Sequence, residues 1–186
     1  MSIRDRWIDA IHRAATGTRK ARTLLTPIGL IIFGLFTGVF VALSMLTDRW
    51  LSLPWPLPGG PSWVIAVLFV AVGAGAAAWS ALYFLKVKGS PVPFNPPPEL
   101  VTTGPYRFVR NPMVTGVFFL LFGIGFAIQS LSLVVFYVPV YILANIWEIK
   151  KIEEPELIMR LGEDYDAYRR RTPMFIPGKK WPKRSE

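Results

Sequence analysis

Three groups of polar side chains in this chain of 186 residues could do chemistry: Arg110-Asn111-Pro112, the paired acids Glu153-Glu154, and the stretch from Glu99 to Tyr106 that leads into the first group. Asn111 followed by Pro112 marks a helix start, with Asn as N-cap and Pro at the first helical position. The unpaired N–H groups of such a first turn, with Arg110 beside them, make a site for a carboxylate or a phosphate. On spacing alone, an equal alternative is that Arg110 pairs with a lipid phosphate or a neighbouring Glu. Paired acids ahead of a helix are usually a solvated cap. Set in a site, Glu153 or Glu154 could instead take a proton from a nucleophile. The chain has no Cys and a single His, His12. That excludes a thiol nucleophile and a thiolate metal site and removes most imidazole and zinc chemistry, so no metal is expected.

What positions these residues is a membrane bundle. The composition is 52% hydrophobic and 18% charged, against about 25% charged in soluble domains. Residues 24–47 carry no charge, and 28–46 are almost wholly apolar, roughly the 30 Å of a bilayer core. Residues 63–85 form a second uncharged run, opened by Pro58-Gly59-Gly60-Pro61 and closed by Lys86. The third run, 111–147, would reach about 55 Å as one helix, too long for one crossing. Gln129, Ser130 and Ser132 near its middle predict a helical hairpin, with spans at 112–128 and 131–148. The expected fold is all-α: a polytopic bundle of four transmembrane helices followed by an amphipathic helix.

The net charge of +9 could point to nucleic acid, but of the 21 Lys and Arg only Arg49 lies on the far side of the spans. This asymmetry places both termini and the 86–111 connector in the cytoplasm and leaves nothing for nucleic acid to explain. The expected organisation is a basic N-terminal segment (1–22), the bundle with its connector (23–149) and a C-terminal segment that completes the site (150–186). Trp50, Trp55 and Trp63 flank the short outer loop as an aromatic belt would. A cleaved signal peptide over 1–44 is disfavoured by its overlong apolar core. With no Asp, Glu, Lys or Arg at depth, an ion channel or coupled transporter is disfavoured. Gly34-x-x-x-Gly38 and the small residues 73–78 mark close helix contacts, with packing inside the chain the favoured reading.

Five prolines between Pro91 and Pro98 make the connector stiff and extended. Beyond the fourth span, Pro155 predicts a new helix. Leu157, Ile158, Leu161, Tyr165 and Tyr168 share its apolar face, and the charges take the other.

Leu100-Val-Thr-Thr-Gly-Pro-Tyr106, Arg110-Asn-Pro112 with Gly116, Glu153-Glu154, Leu161-Gly-Glu-Asp-Tyr165, Tyr168 and Phe175-Ile-Pro177 follow in order. The set resembles the isoprenylcysteine carboxyl methyltransferase and phospholipid methyltransferase group of integral membrane enzymes over roughly residues 98–178. The resemblance implies S-adenosylmethionine as methyl donor and a lipophilic acceptor that enters from the bilayer. It implies donor contacts at Glu99, Leu100, Val101, Tyr106, Asn111, Pro112, Met113, Val114 and Glu153, with Arg110 and Glu153 as the working pair. Four positions depart from the group's pattern. Asn111 and Glu99 stand where His is usual, Val114 where Tyr is, and Ile149 where prenylcysteine enzymes place an Arg. The last weakens a prenylcysteine carboxylate as the specific acceptor. Alternatives are a phospholipid amine N-methyltransferase, a membrane reductase, for which no Gly-rich dinucleotide motif is present, and a non-catalytic scaffold of the same fold.

Overall fold

The computed structural model describes residues 3–86 and 99–178. The proline run 91–98 of the connector lies outside the described residues. Among the described residues, six α-helices carry the fold: α1 (Ile3–Ala15), α2 (Arg19–Leu51), α3 (Gly59–Lys86), α4 (Pro112–Ala127), α5 (Val138–Glu148) and α6 (Glu154–Arg171). Two π-turns, Leu133–Tyr137 and Ile149–Glu153, precede α5 and α6, and a 3-10 turn, Gly104–Arg107, precedes α4.

The segments Pro27–Leu51, Gly59–Phe84 and Leu133–Arg171 are long and apolar enough to cross a membrane, and Pro112–Ala127 is a shorter apolar helix. Large apolar side chains such as Ile31, Leu35, Val64 and Leu68 are about three-fifths exposed. Such a surface is stable only where lipid covers it. The molecule is a helical membrane bundle.

The predicted hairpin is present. Gln129 takes a positive φ of 55° at the turn, and the Ser132 N–H donates to Asp48 Oδ1 at 2.9 Å. The Ser130 hydroxyl bonds the other oxygen of the same carboxylate, and the Ser132 hydroxyl donates to the Ser44 carbonyl at 2.9 Å. Asp48 thus satisfies the open start of the returning helix, where free N–H groups would otherwise face a low-dielectric rim.

α3 and α4 pack backbone to backbone. A Cβ added at Gly73 would lie 2.6 Å from the Gly116 carbonyl oxygen, and one at Gly123 would lie 2.7 Å from Val70 Cγ2. This is the close contact expected of the 73–78 run. Gly34 and Gly38 differ, because a Cβ at either meets nothing within 4 Å. Their predicted packing inside the chain is therefore corrected: α2 joins the bundle through its other side chains. The Thr37 hydroxyl bonds Tyr141 at 2.9 Å and Thr47 bonds Tyr137 at 2.8 Å. The rings of Phe36 and Phe40 pack on Tyr141, the most buried large side chain of a core that includes Phe118, Leu121, Leu133 and Val138.

Pro155 does not open a separate helix. Helical structure runs from Leu133 to Arg171, 39 residues and roughly 58 Å, so its second half extends beyond any bilayer. Each π-turn ends just before a helix with proline at its second position, Pro139 in α5 and Pro155 in α6. Proline lacks an N–H and crowds the carbonyl four residues back, and widening the preceding turn to π relieves that crowding without ending the helix. The break comes later, at Gly162, whose φ of 61° and ψ of −138° are not helical. The helix is thus not continuous across the predicted apolar face, yet Leu157, Leu161, Tyr165 and Tyr168 still come to line one cavity on both sides of the break.

Candidate active site

At the end of the bundle that carries the connector and α6, side chains from all six helices and the 3-10 turn enclose a cavity of about 400 Å³. Glu99, Leu100 and Val101 line it from the connector, Tyr106 from the 3-10 turn, Arg110 to Val114 from the entry to α4, and Glu153 from the second π-turn. Arg110 and the donor contacts implied by the resemblance thus line one space, although Glu153 lies far along the chain from the rest, and Glu154 is not among the lining residues. The hairpin returns the chain to the side it left, and this brings Arg110 and Glu153 together.

Local geometry fixes the connector side. Gly104 sits at φ +61°, and a Cβ there would meet the Tyr83 ring at 2.4 Å. Only glycine allows the turn to lie this close to α3. The Tyr83 hydroxyl bonds Thr103, and the Phe84 ring packs edge-on against Tyr106 at 5.1 Å. The Tyr168 hydroxyl donates to the Tyr106 carbonyl at 2.6 Å. The tail returns to the same place: the N–H groups of Arg110 and Asn111 donate to the carbonyls of Pro173 and Met174 at 2.8 and 3.1 Å.

Asn111 occupies the N-cap position, but its side chain makes no capping bond. The capping role read from Asn-Pro is corrected. Its φ of −125° and ψ of 60° are set by the pairing with the tail, and the side chain faces the cavity instead.

Arg110 pairs with Glu154, which also binds Arg169 Nη1 at 3.4 Å. Of the two readings left open by the sequence, the neighbouring Glu is the partner. Glu154 and Glu156 are only 5% and 3% exposed, so the solvated cap is corrected as well. Buried carboxylates need partners. Glu156 has them in Arg160 at 3.0 Å and His12 at 3.3 Å. The guanidinium of Arg110 is not saturated, since its buried Nε has no hydrogen-bond partner among the described residues. A donor buried without an acceptor is costly and is the group a ligand oxygen would satisfy.

Among the described residues Glu153 carries no ion pair. Burial, reinforced by the acids Glu148, Glu154 and Glu156 and opposed by Arg110, pushes its carboxyl up to about 8. The phenol of Tyr165 is pushed up to about 12 by burial and by Glu154. Those of Tyr106 and Tyr168 are raised chiefly by burial. Both stay neutral donors, as the Tyr168 bond requires.

Sequence reasoning missed Glu148, Asn145, Phe33, Phe36 and the whole of α1. Helical spacing of 3.6 residues sets Glu148 and Glu153 on different faces, whereas the π-turn between them turns both into the cavity. α1 brings Ile11 to the cavity and His12 to Glu156. The amphipathic spacing of Ile8 and Ile11 was the available signal. Among the described residues no group of three or more His, Cys, Asp or Glu could hold a metal ion.

Residues 62–164, from the start of α3 to beyond the Gly162 break, match the phospholipid methyltransferase family. The chain belongs to this family. The match takes in most of α3, the connector, the hairpin and Glu153 of the second π-turn, which supply most of the cavity lining, while Ile11, Phe33, Phe36, Tyr165 and Tyr168 lie outside it. Among curated relatives of this phospholipid methyltransferase family member, the methanethiol S-methyltransferase of Crocosphaera subtropica is 36% identical over 103 residues, 53% of this chain and 36% of that protein. The nickel-cobalt-cadmium resistance protein NccN of Alcaligenes xylosoxydans xylosoxydans is 28% identical over 150 residues, 81% of this chain and 61% of that protein. The chain thus spans less than two thirds of the length of either relative. No solved structure matches it significantly. The sequence-based assignment to a family of membrane methyltransferases holds.

Proposed function

We propose that this protein transfers a methyl group from S-adenosylmethionine to a lipophilic acceptor that reaches the cavity from the bilayer. The observation that carries this reading is that one cavity is lined by both Arg110, whose Nε has no hydrogen-bond partner among the described residues, and Glu153, which has no ion pair among them. The donor has a carboxylate for the first and cationic groups for the second. A volume of about 400 Å³ lies in the range of small-ligand sites, and the rings of Tyr106 and Phe84 offer flat apolar surface to a base. Asn111 and Val114, the departures from the group's pattern, both line the cavity. Asn111 retains a polar group there, and Val114 leaves the space an aromatic ring would fill.

When bound, the donor supplies an activated sulfonium methyl group. The protein's part is alignment and exclusion of water. Arg110, held by Glu154, would fix the carboxylate end, and Glu153 would face the cationic end. Phe33 and Phe36 on α2, with Ala144 and Asn145 on α5, line the cavity where it meets the spans, a path suited to an apolar chain. The charge asymmetry supports an orientation with both termini and the cavity on the cytoplasmic side.

The direct test is thermal. S-adenosylhomocysteine should raise the melting temperature of the purified protein in detergent, because a ligand at a hundredfold excess over its Kd stabilises by about 2.7 kcal/mol. NADPH should leave it unchanged. The reverse ranking would favour the reductase reading.

A further inference from the structure

The cavity holds one carboxylate that the reading above leaves idle. Glu148 lines it from the end of α5 and makes no hydrogen bond or ion pair among the described residues. It lies five residues before Glu153, on the side nearer the spans, next to Asn145 and close to the apolar wall of Phe33 and Phe36. Along this helical stretch Glu148 is nearer the spans than Glu153, so a nucleophile arriving along α5 on an apolar chain meets it first of the two. Asn145 beside it is uncharged and donates one side-chain N–H to the Tyr141 carbonyl at 2.8 Å.

The charges of the cavity select the acceptor. Its two arginines are already paired, Arg110 with Glu154 and Arg160 with Glu156. Glu99, Glu148 and Glu153 have no cationic partner among the described residues. The position where prenylcysteine enzymes carry an Arg is Ile149, buried beside Glu148. An anionic acceptor would enter a low-dielectric space beside Glu148 and Glu99, and among the described residues no further Lys or Arg lines the cavity to receive it.

We propose that Glu148 is the proton acceptor of the reaction and that the acceptor is an uncharged hydrophobic thiol, not a carboxylate. This inference rests on the donor assigned above. As the thiol sulfur attacks, a carbon–sulfur bond forms between it and the transferred methyl. The bond from that methyl to the sulfonium breaks, and its electron pair stays on the departing sulfur. The S–H proton passes to a Glu148 carboxylate oxygen. A sulfonium and a carboxylate thereby become a neutral thioether and a neutral acid, and the products are a methyl thioether and S-adenosylhomocysteine. Charge is annihilated, which an apolar cavity favours. A thiol near 8.5 is within reach of a carboxylate in apolar surroundings; an alkylammonium, about two units higher, is a poorer match. Among the described residues, the other titratable and charged groups facing this space are Glu99 and Tyr106 from the connector, Arg110 from the entry to α4, Glu153 from the π-turn, and Glu156, Arg160, Tyr165 and Tyr168 from α6, with His12 behind Glu156.

The experiment measures methyl transfer from labelled donor to octanethiol, octanoate and octylamine by the purified protein in detergent, alongside S-adenosylhomocysteine binding. The parent should methylate octanethiol at least tenfold faster than either of the others. Glu148→Gln should keep S-adenosylhomocysteine affinity within about twofold while kcat on the thiol falls by about a hundredfold or more. Its remaining rate should rise with pH as free thiolate does. Glu148→Asp, which keeps the carboxylate, should recover part of the rate and guards against a folding defect in the Gln variant. Faster methylation of octanoate or octylamine by the parent, or parent-like turnover of octanethiol by Glu148→Gln, would overturn the proposal alone. A parent that does not bind S-adenosylhomocysteine would overturn the donor reading and this proposal with it.

Discussion

Tyr168, near the end of α6, donates its hydroxyl proton to the main-chain carbonyl of Tyr106 at 2.6 Å. One bond ties the last helix to the turn that opens the cavity wall, and both partners are buried. Tyr168→Phe keeps the ring and strands the carbonyl, at a cost of about 1–3 kcal/mol. Thermal unfolding in detergent should show the loss. S-adenosylhomocysteine affinity should fall with it, because Tyr106 and Tyr168 both line the cavity. Unchanged stability would mean the bond contributes nothing net.

Arg110→Ala and Glu153→Gln should each weaken S-adenosylhomocysteine binding about ten- to a hundredfold, the loss expected for one charge-assisted hydrogen bond in a mostly buried site. Glu163 is exposed on α6 beyond the break at Gly162, so Glu163→Gln should change binding by less than about twofold. Calorimetric titrations on variants matched for thermal stability decide it. Three parent-like affinities would place the site elsewhere.

Binding of the donor should release a proton through Glu153. Its carboxyl, raised from 4.5 to about 8, is largely protonated at pH 7, and a sulfonium cation nearby favours ionisation. Affinity for S-adenosylmethionine should therefore rise as pH goes from about 6 toward 8 and then level off. For fold stability the sign is opposite to that of a salt-bridged acid. The contribution of Glu153 is fully present below about pH 4.5 and is lost as pH rises through about 8. Calorimetry in buffers of different ionisation enthalpy should detect proton release in the parent and less in Glu153→Gln. Equal release from both would assign the proton to another group.

The glycines divide by what surrounds them. Gly73→Ala and Gly116→Ala force apart the α3 and α4 backbones, since each added Cβ would lie under 3.0 Å from main-chain atoms of the facing helix. Both should destabilise by about 1–3 kcal/mol. Gly34→Ala and Gly38→Ala meet nothing within 4 Å and should be neutral or stabilising by up to about 1 kcal/mol. Melting curves of the four variants test the contrast. Similar destabilisation of all four would mean that the α2 face is packed against something in the membrane.

Orientation can be tested by thiol labelling, because the chain has no native Cys. Ser52, exposed after α2, and Glu163, exposed on α6, lie at opposite ends of the bundle. Ser130 is a poor probe, being 2% exposed and bonded to Asp48. In intact cells an impermeant maleimide should label Ser52→Cys and spare Glu163→Cys. The opposite pattern would invert the topology.

Hydrophobic runs, basic residues and the polar turn at Gln129-Ser130 made the helical membrane class and the hairpin legible in the sequence. These features act locally, through the length of an apolar run and the chemistry of a turn. The gathering of Glu99 to Val114 with Glu153 was also within reach, because a hairpin must return to the side it left. What Asn111, Glu154 and Glu156 do was decided by tertiary contacts. The tail carbonyls of Pro173 and Met174 set the backbone at Arg110 and Asn111, and Arg110, Arg160, Arg169 and His12 turn apparently solvated acids into buried partners. The π-turn that brings Glu153 round to the cavity face of Glu148 also lay beyond periodicity, since one widened turn shifts the facing of every later residue. Sequence spacing assumes a uniform helix. The prolines at 139 and 155 and the left-handed Gly162 make this one non-uniform, and the positions of its acids follow from those departures.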